Sequence, residues 1–144
     1  TDAFSRKIVG YHVAENMEAI QSVAALKMAV IPLKIGHTGL IHHSDRGSQY
    51  CSSQYVSALK KHNIQISMTE NSDPLENAIA ERINGIIKGE YLSDYQINSL
   101  THAKEVLKAV VKLYNEERPH NSLNNNTPAT IHDNHLEKQI SFFI

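Results

Sequence analysis

Apolar residues recur along this chain with two spacings, one of two residues and one of about 3.6, and the switching between them predicts its elements. Residues 6–13, Arg-Lys-Ile-Val-Gly-Tyr-His-Val, are rich in β-branched and aromatic side chains and read as a strand entered through a turn at Ser5-Arg6-Lys7. From Met17 to Val30 the spacing is helical, with Ile20, Val23, Ala24, Leu26 and Val30 inward, Asn16 as N-cap, and Pro32 and Gly36 as the stop. Leu40–His43 reads as a short strand. A helix capped by Ser52 or Ser53 then runs to about Lys61 with Tyr55, Val56 and Leu59 inward, and Gln65–Met68 alternates as a further strand. Asp73-Pro74-Leu75-Glu76 joins an N-cap, a proline at the first helical position and an acid three residues after the cap. A helix is therefore expected from Pro74, with Leu75, Ile79, Ile83, Ile86 and Ile87 on its core face. A last helix spans His102–Glu116 behind Thr101, burying Val106, Val110, Leu113 and Tyr114. The Asn-rich stretch 121–127 reads as loop. Strands and helices in this order argue for an α/β layered domain.

At 144 residues the chain is expected to form one domain around one core. The apolar share of 41% exceeds what a disordered chain carries, and no apolar run approaches a membrane span, since Lys27 interrupts even Ala24–Pro32. A single cysteine, Cys51, excludes an internal disulfide, fits a cytoplasmic setting and reads as a small buried residue. Fourteen basic against fifteen acidic residues leave a net charge of −1, so overall charge gives no support to nucleic-acid binding. Lys104, Lys108 and Lys112 form a stripe of the solvated kind. With one cysteine, the nine histidines do not form a paired zinc pattern, and His42 and His43, adjacent on a strand, must point to opposite faces.

Two acids stand out. Asp45 directly follows a strand, the position where α/β folds build sites. Glu81 lies on the polar face of the helix from Pro74, together with Asn77, Asn84, Gly85 and Lys88 and opposite the isoleucines. Residues 46–80, 35 of them, separate the two acids. An Asp after a strand is commonly a turn residue and a Glu on a polar helix face is commonly solvated, so these two alone do not define a metal site.

The surrounding blocks change the weighing. His42-His43-Ser44-Asp45-Arg46-Gly47-Ser48-Gln49-Tyr50 resembles the segment around the second catalytic acid of insertion-sequence transposases related to retroviral integrases. Glu76-Asn77-Ala78-Ile79-Ala80-Glu81-Arg82, continuing to Lys88, resembles the segment around the third, at that family's spacing. Tyr114-Asn115-Glu116-Glu117-Arg118-Pro119-His120-Asn121-Ser122-Leu123 with Thr127-Pro128 is similar to its C-terminal signature, and Asp2–Gly10 to the block around its second and third strands. The C-terminal block favours a transposase over a ribonuclease-H-like nuclease acting on RNA–DNA hybrids.

The resemblance implies an α/β, ribonuclease-H-like mixed sheet flanked by helices, here lacking the first strand and most of the second. It implies a partial catalytic core over residues 1–131 and a C-terminal tail over 132–144. It also implies DNA cleavage and strand transfer by phosphoryl transfer with Mg²⁺ or Mn²⁺, in a two-metal site of the complete protein. Asp45 and Glu81 would be catalytic metal ligands. Lys88, Arg46, Asn84, Arg118 and His120 are candidate DNA contacts, Arg118 and His120 being equally suited to holding the C-terminal turn. The expected partners are transposon-end and target DNA and further copies of the chain, with no membrane.

The family's first acid has no counterpart here: Asp2 fits a cap of the Ser5 turn, and Thr1 opens the chain without a methionine, as in a piece of a longer protein. By itself the chain is expected to be inactive, and an exposed sheet edge is expected to pair with another copy. The alternative is a degenerate remnant that at most binds DNA or a partner subunit. Residues 69–75 also depart from the Gly- and Trp-containing stretch of many relatives.

Overall fold

In the computed structural model, α1 (Ala19–Val30) turns Val23, Leu26 and Val30 inward, and Pro32 follows its end. Described are residues 1–33, 39–70 and 77–141, with backbone alone beyond residue 134. The helix starts later than expected. Asn16 is not its cap, because its carboxamide takes the Glu18 N–H and the Gln21 side chain instead, leaving Glu18 at the cap position without a side-chain bond. Ile20 is largely exposed.

The chain divides into two units, Gly10–Glu81 and Thr1–Val9 with the chain from Arg82 onward. Each has its own apolar cluster where one core was expected.

In the first unit β1 (Ile41–Ser44) and β2 (Gln65–Met68) pair in parallel, Ile41 opposite Gln65 and His43 opposite Ser67. Parallel neighbours require a crossover, here the one-turn α2 (Ser48–Cys51) and α3 (Ser53–Lys61). Ser52 caps α3 by accepting the Tyr55 N–H at 3.2 Å. Asn63 at φ 54° then lets the Ile64 N–H return to the Leu59 carbonyl and start β2. Tyr55, Leu59 and Ile64 pack against Val23, Leu26 and Val30. Gly10 lies against α1 so closely that a Cβ there would sit 2.2 Å from the Ala25 carbonyl oxygen. Cys51 is exposed, contrary to expectation, because α2 lies at the rim with its thiol toward the Arg46 carbonyl.

The helix α4 (Ala78–Ile86) runs from the end of the first unit into the second, where it passes into a π-helical turn, Ile87–Leu92, and α5 (Leu100–Glu116) follows. Ile83, Ile86 and Ile87 pack with Val106, Val110 and Tyr114. The helix start foreseen at Pro74, with Leu75, lies outside the described residues, as does Gly36. Ser99, not Thr101, caps α5, accepting the His102 N–H at 3.1 Å; serine is the better cap, and its choice draws Thr101 into the first turn. Leu113 is 39% exposed, while Val111 and Asn115 are buried in its place.

Residues 6–13 enter no ladder. A strand needs a neighbouring backbone, and here the carboxamide of Asn115 binds the Ile8 peptide groups instead, accepting its N–H at 2.9 Å and donating to its carbonyl at 3.0 Å. The turn before it is as expected: Asp2 accepts both the N–H and the hydroxyl of Ser5, at 2.6 and 2.7 Å. Residues 121–127 form a tight ordered turn, with a 3₁₀ segment Asn121–Leu123 and Asn124 and Asn125 in the left-handed region. The tail is helical as α6 (Pro128–Ser141), which the Thr127 hydroxyl opens by accepting the Thr130 N–H.

Candidate active site

Asp45 sits just past β1. The parallel ladder continues one step beyond the strands through the Thr69 N–H, which donates to the Ser44 carbonyl at 3.1 Å. Arg46 then ties the turn to the end of β2, its Nε donating to the Thr69 carbonyl at 2.8 Å. Between these anchors the Asp45 carboxylate is exposed and its Oδ1 accepts the Gly47 N–H at 2.9 Å. Glycine at 47 keeps that space open, since a Cβ would lie 2.9 Å from Asp45 Oδ1 and 2.9 Å from Gln49 Nε2.

The residues before Asp45 alternate as the strand period dictates. His42 turns inward. Its Nε2 shares a hydrogen bond with the Tyr55 hydroxyl at 2.9 Å, and its ring meets Tyr55 edge-on at 5.4 Å. Burial lowers the pKa of His42 and pushes the Tyr55 hydroxyl up to about 12. Ser44 is likewise buried. His43 turns outward with the face that leads to Asp45, its Nδ1 2.9 Å from the Ser67 hydroxyl.

Glu81 lies in the first turn of α4 and is exposed, together with Asn84, Gly85 and Lys88, while Ile83, Ile86 and Ile87 are buried. One packed and one polar face were expected, and both are present from Glu81 onward, but Ile79, expected on the packed face, is exposed in the helix's first turn, ahead of the buried Ile83. No lysine or arginine is ion-paired to Asp45 or Glu81 among the described residues. Two exposed carboxylates without a basic partner suit a hard divalent cation, which seeks oxygen ligands. Among the described residues no three His, Cys, Asp or Glu side chains converge on one point.

The remaining candidates have partners of their own. Arg118 forms a two-pronged pair with Glu90 on the π-helical turn, at 2.5 and 3.1 Å. His120 packs edge-on against Tyr114 at 5.2 Å, and its backbone pairs with that of Asn126. The Tyr114 hydroxyl donates to the Arg6 carbonyl. Among the described residues neither side chain hydrogen-bonds a carbonyl of the turn. Sequence reasoning missed Ser67, Glu90 and the buried role of Asn115. Only the register of β1 on β2 reveals the first, and no local pattern marks the others.

Models of the integrase core domain match residues 1–74 and 62–128. A 31 kDa protein of insertion element IS600 from Shigella sonnei is 35% identical over 92% of this chain and 48% of its own length. The transposase of insertion sequence element IS904 from Lactococcus lactis is 34% identical over 88% and 50%. The chain thus spans about half the length of these curated relatives. Among solved structures, the catalytic core domain of BIV integrase superposes with TM-score 0.63 at 19% identity, covering 92% of this chain and 80% of that one. The HTLV-2 integrase catalytic core domain, determined in complex with magnesium, gives 0.66 at 22% identity over the same shares.

Proposed function

This chain belongs to the integrase core domain family, the ribonuclease-H-like core found in insertion-sequence transposases, and from that premise we propose that it carries out DNA cleavage and strand transfer within a protein of its relatives' length. The observation that carries the reading is the pair Asp45 and Glu81, one at a strand end and one in the first turn of a helix, both exposed and neither ion-paired. Both carboxylates would hold Mg²⁺ or Mn²⁺, which when bound polarises the phosphate and lowers the pKa of an attacking water or 3′-hydroxyl. The chain's own part is to place that charge and the DNA. Gly47 fixes the Asp45 carboxylate through its N–H. Asn84 and Lys88, exposed beyond Glu81, would contact the phosphate backbone, as would the outer nitrogens of Arg46. Arg118 and His120 act instead as a brace for the chain after Glu81, in keeping with Glu90 and Tyr114 as their partners. The family's remaining carboxylate, assembly with further copies, and action in the cytoplasm would be properties of the longer protein.

A second reading, a remnant that binds DNA or a partner subunit without cutting, is favoured by the lack of three converging ligands among the described residues. The deciding experiment extends the chain to its relatives' length and assays Mg²⁺- or Mn²⁺-dependent nicking and joining of element-end DNA beside Asp45→Ala and Glu81→Ala. Activity lost in either variant is the expected result. An inactive parent that still folds and binds DNA would select the remnant.

A further inference from the structure

We propose that His43 is a DNA contact of the same site, its Nε2 donating to a phosphodiester oxygen, with Ser67 as the residue that positions the ring. The inference rests on the catalytic reading and adds a substrate contact to it. Along β1 and into the turn, His42 and Ser44 point inward, so His43 and Asp45 belong to the opposite, exposed face. His43 stands directly opposite Ser67 in the parallel register, and the Ser67 hydroxyl lies 2.9 Å from its Nδ1. In the tautomer in which the Ser67 hydroxyl donates to Nδ1, Nε2 carries the ring's N–H. Among the described residues Nε2 has no hydrogen-bond partner. In that tautomer Nε2 is an outward-facing donor on a strand, its ring held from behind, two residues from a carboxylate that is to work on phosphate. A strand-borne group of this kind is better fixed than one on a loop, as a contact beside the reacting phosphorus requires. The bland alternative, a surface histidine paired with a serine for its own sake, predicts no dependence on the DNA backbone.

The test uses the protein extended to its relatives' length and element-end DNA carrying single neutral methylphosphonates at successive positions around the cleaved bond. Binding is read by fluorescence anisotropy in Ca²⁺. For the parent protein one position should weaken binding by about tenfold, the scale of a lost hydrogen bond to a charged group. His43→Ala should show that same weakening on unmodified DNA and no further loss at that position. His43→Gln, which keeps a donor near the place of Nε2, should recover part of the affinity, and Ser67→Ala should fall between parent and His43→Ala. Equal urea midpoints for His43→Ala and parent check that the fold is unchanged. If His43→Ala binds unmodified DNA as the parent does, or keeps the parent's full sensitivity at every position, the contact is overturned. Turnover in Asp45→Asn is followed separately. Its loss without the His43 coupling leaves the catalytic reading standing and removes only the contact, whereas retained turnover defeats the catalytic reading whatever His43 does.

Discussion

Between Gly47 and the Asp45 carboxylate there is no room for a methyl group: the added carbon would stand 2.9 Å from Oδ1. The backbone itself tolerates alanine, since Gly47 has φ −55°. What must move is the carboxylate and the far end of Gln49, both exposed or partly so, and therefore cheap to displace. If Asp45 holds metal as proposed, Gly47→Ala in the protein extended to its relatives' length is expected to leave the urea midpoint nearly unchanged while lowering Mg²⁺-dependent strand transfer by about tenfold to a hundredfold, the usual effect of disturbing a group that orients a metal ligand. Equal losses of stability and activity would show that the glycine serves the fold alone. The same residue scale separates what was legible from what was not. Asp45 and Glu81 stand out in the sequence because their neighbours in the chain carry the pattern, whereas Ser67 meets His43 from 24 positions away and Glu90 meets Arg118 from 28. Such partners are chosen by register and packing, and neither leaves a periodic trace.

Elements were legible wherever burial alone decides them. The helical spacings of α1, α3 and α5 put most of the expected residues into the two clusters, because a one-sided apolar stripe has no other stable use. Ends and unpaired segments were not, because they depend on which of several competing groups takes a given N–H. Asn16 and Thr101 are sound caps by type and lost to local alternatives. Residues 6–13 have the composition of a strand and lie against a side chain instead. That substitution can be tested. Asn115 is buried and satisfies both peptide groups of the half-buried Ile8, so Asn115→Ala removes two hydrogen bonds at a cost of about 0.5–1.5 kcal/mol each. Asn115→Asp keeps the shape and the acceptor but sets a carboxylate oxygen against the Ile8 carbonyl. Chemical denaturation should therefore find both variants well below the parent. An Asn115→Asp protein as stable as the parent at neutral pH would mean that the Nδ2–carbonyl bond contributes nothing. Arg118→Lys tests the neighbouring brace. Lysine cannot make the two-pronged contact with Glu90, yet the pair is partly exposed, so the loss should stay within about 1 kcal/mol. In a double-mutant cycle with Glu90→Gln, most of that loss should vanish.

Each unit of the molecule holds an imidazole with a lowered pKa, and together they set how stability responds to acid. His42 is lowered chiefly by burial in the first unit. His120 is lowered by burial and then by Arg118, Arg6 and Arg82, against which Glu90 pulls the other way. An imidazole whose folded pKa lies below its unfolded value of 6.5 binds its proton first in the unfolded chain. Between those two pKa values the unfolded state therefore carries more protons, and stability rises with pH. Asp2 acts in the same direction at lower pH. Burial would raise its pKa, but the hydrogen bonds from Ser5 outweigh that and hold it below 3.8. The expected profile declines as pH falls through the ordinary histidine range, and steepens again in the carboxylate range. Urea titrations from about pH 8 to about pH 3 measure it directly. His120→Gln should flatten the histidine part without abolishing it, because His42 remains. A parent profile that stays level down to about pH 5 would mean that neither imidazole is held neutral by the fold. The burial of His42 against Tyr55, on the inner side of the strand that leads to Asp45, would then be looser than its hydrogen bond implies.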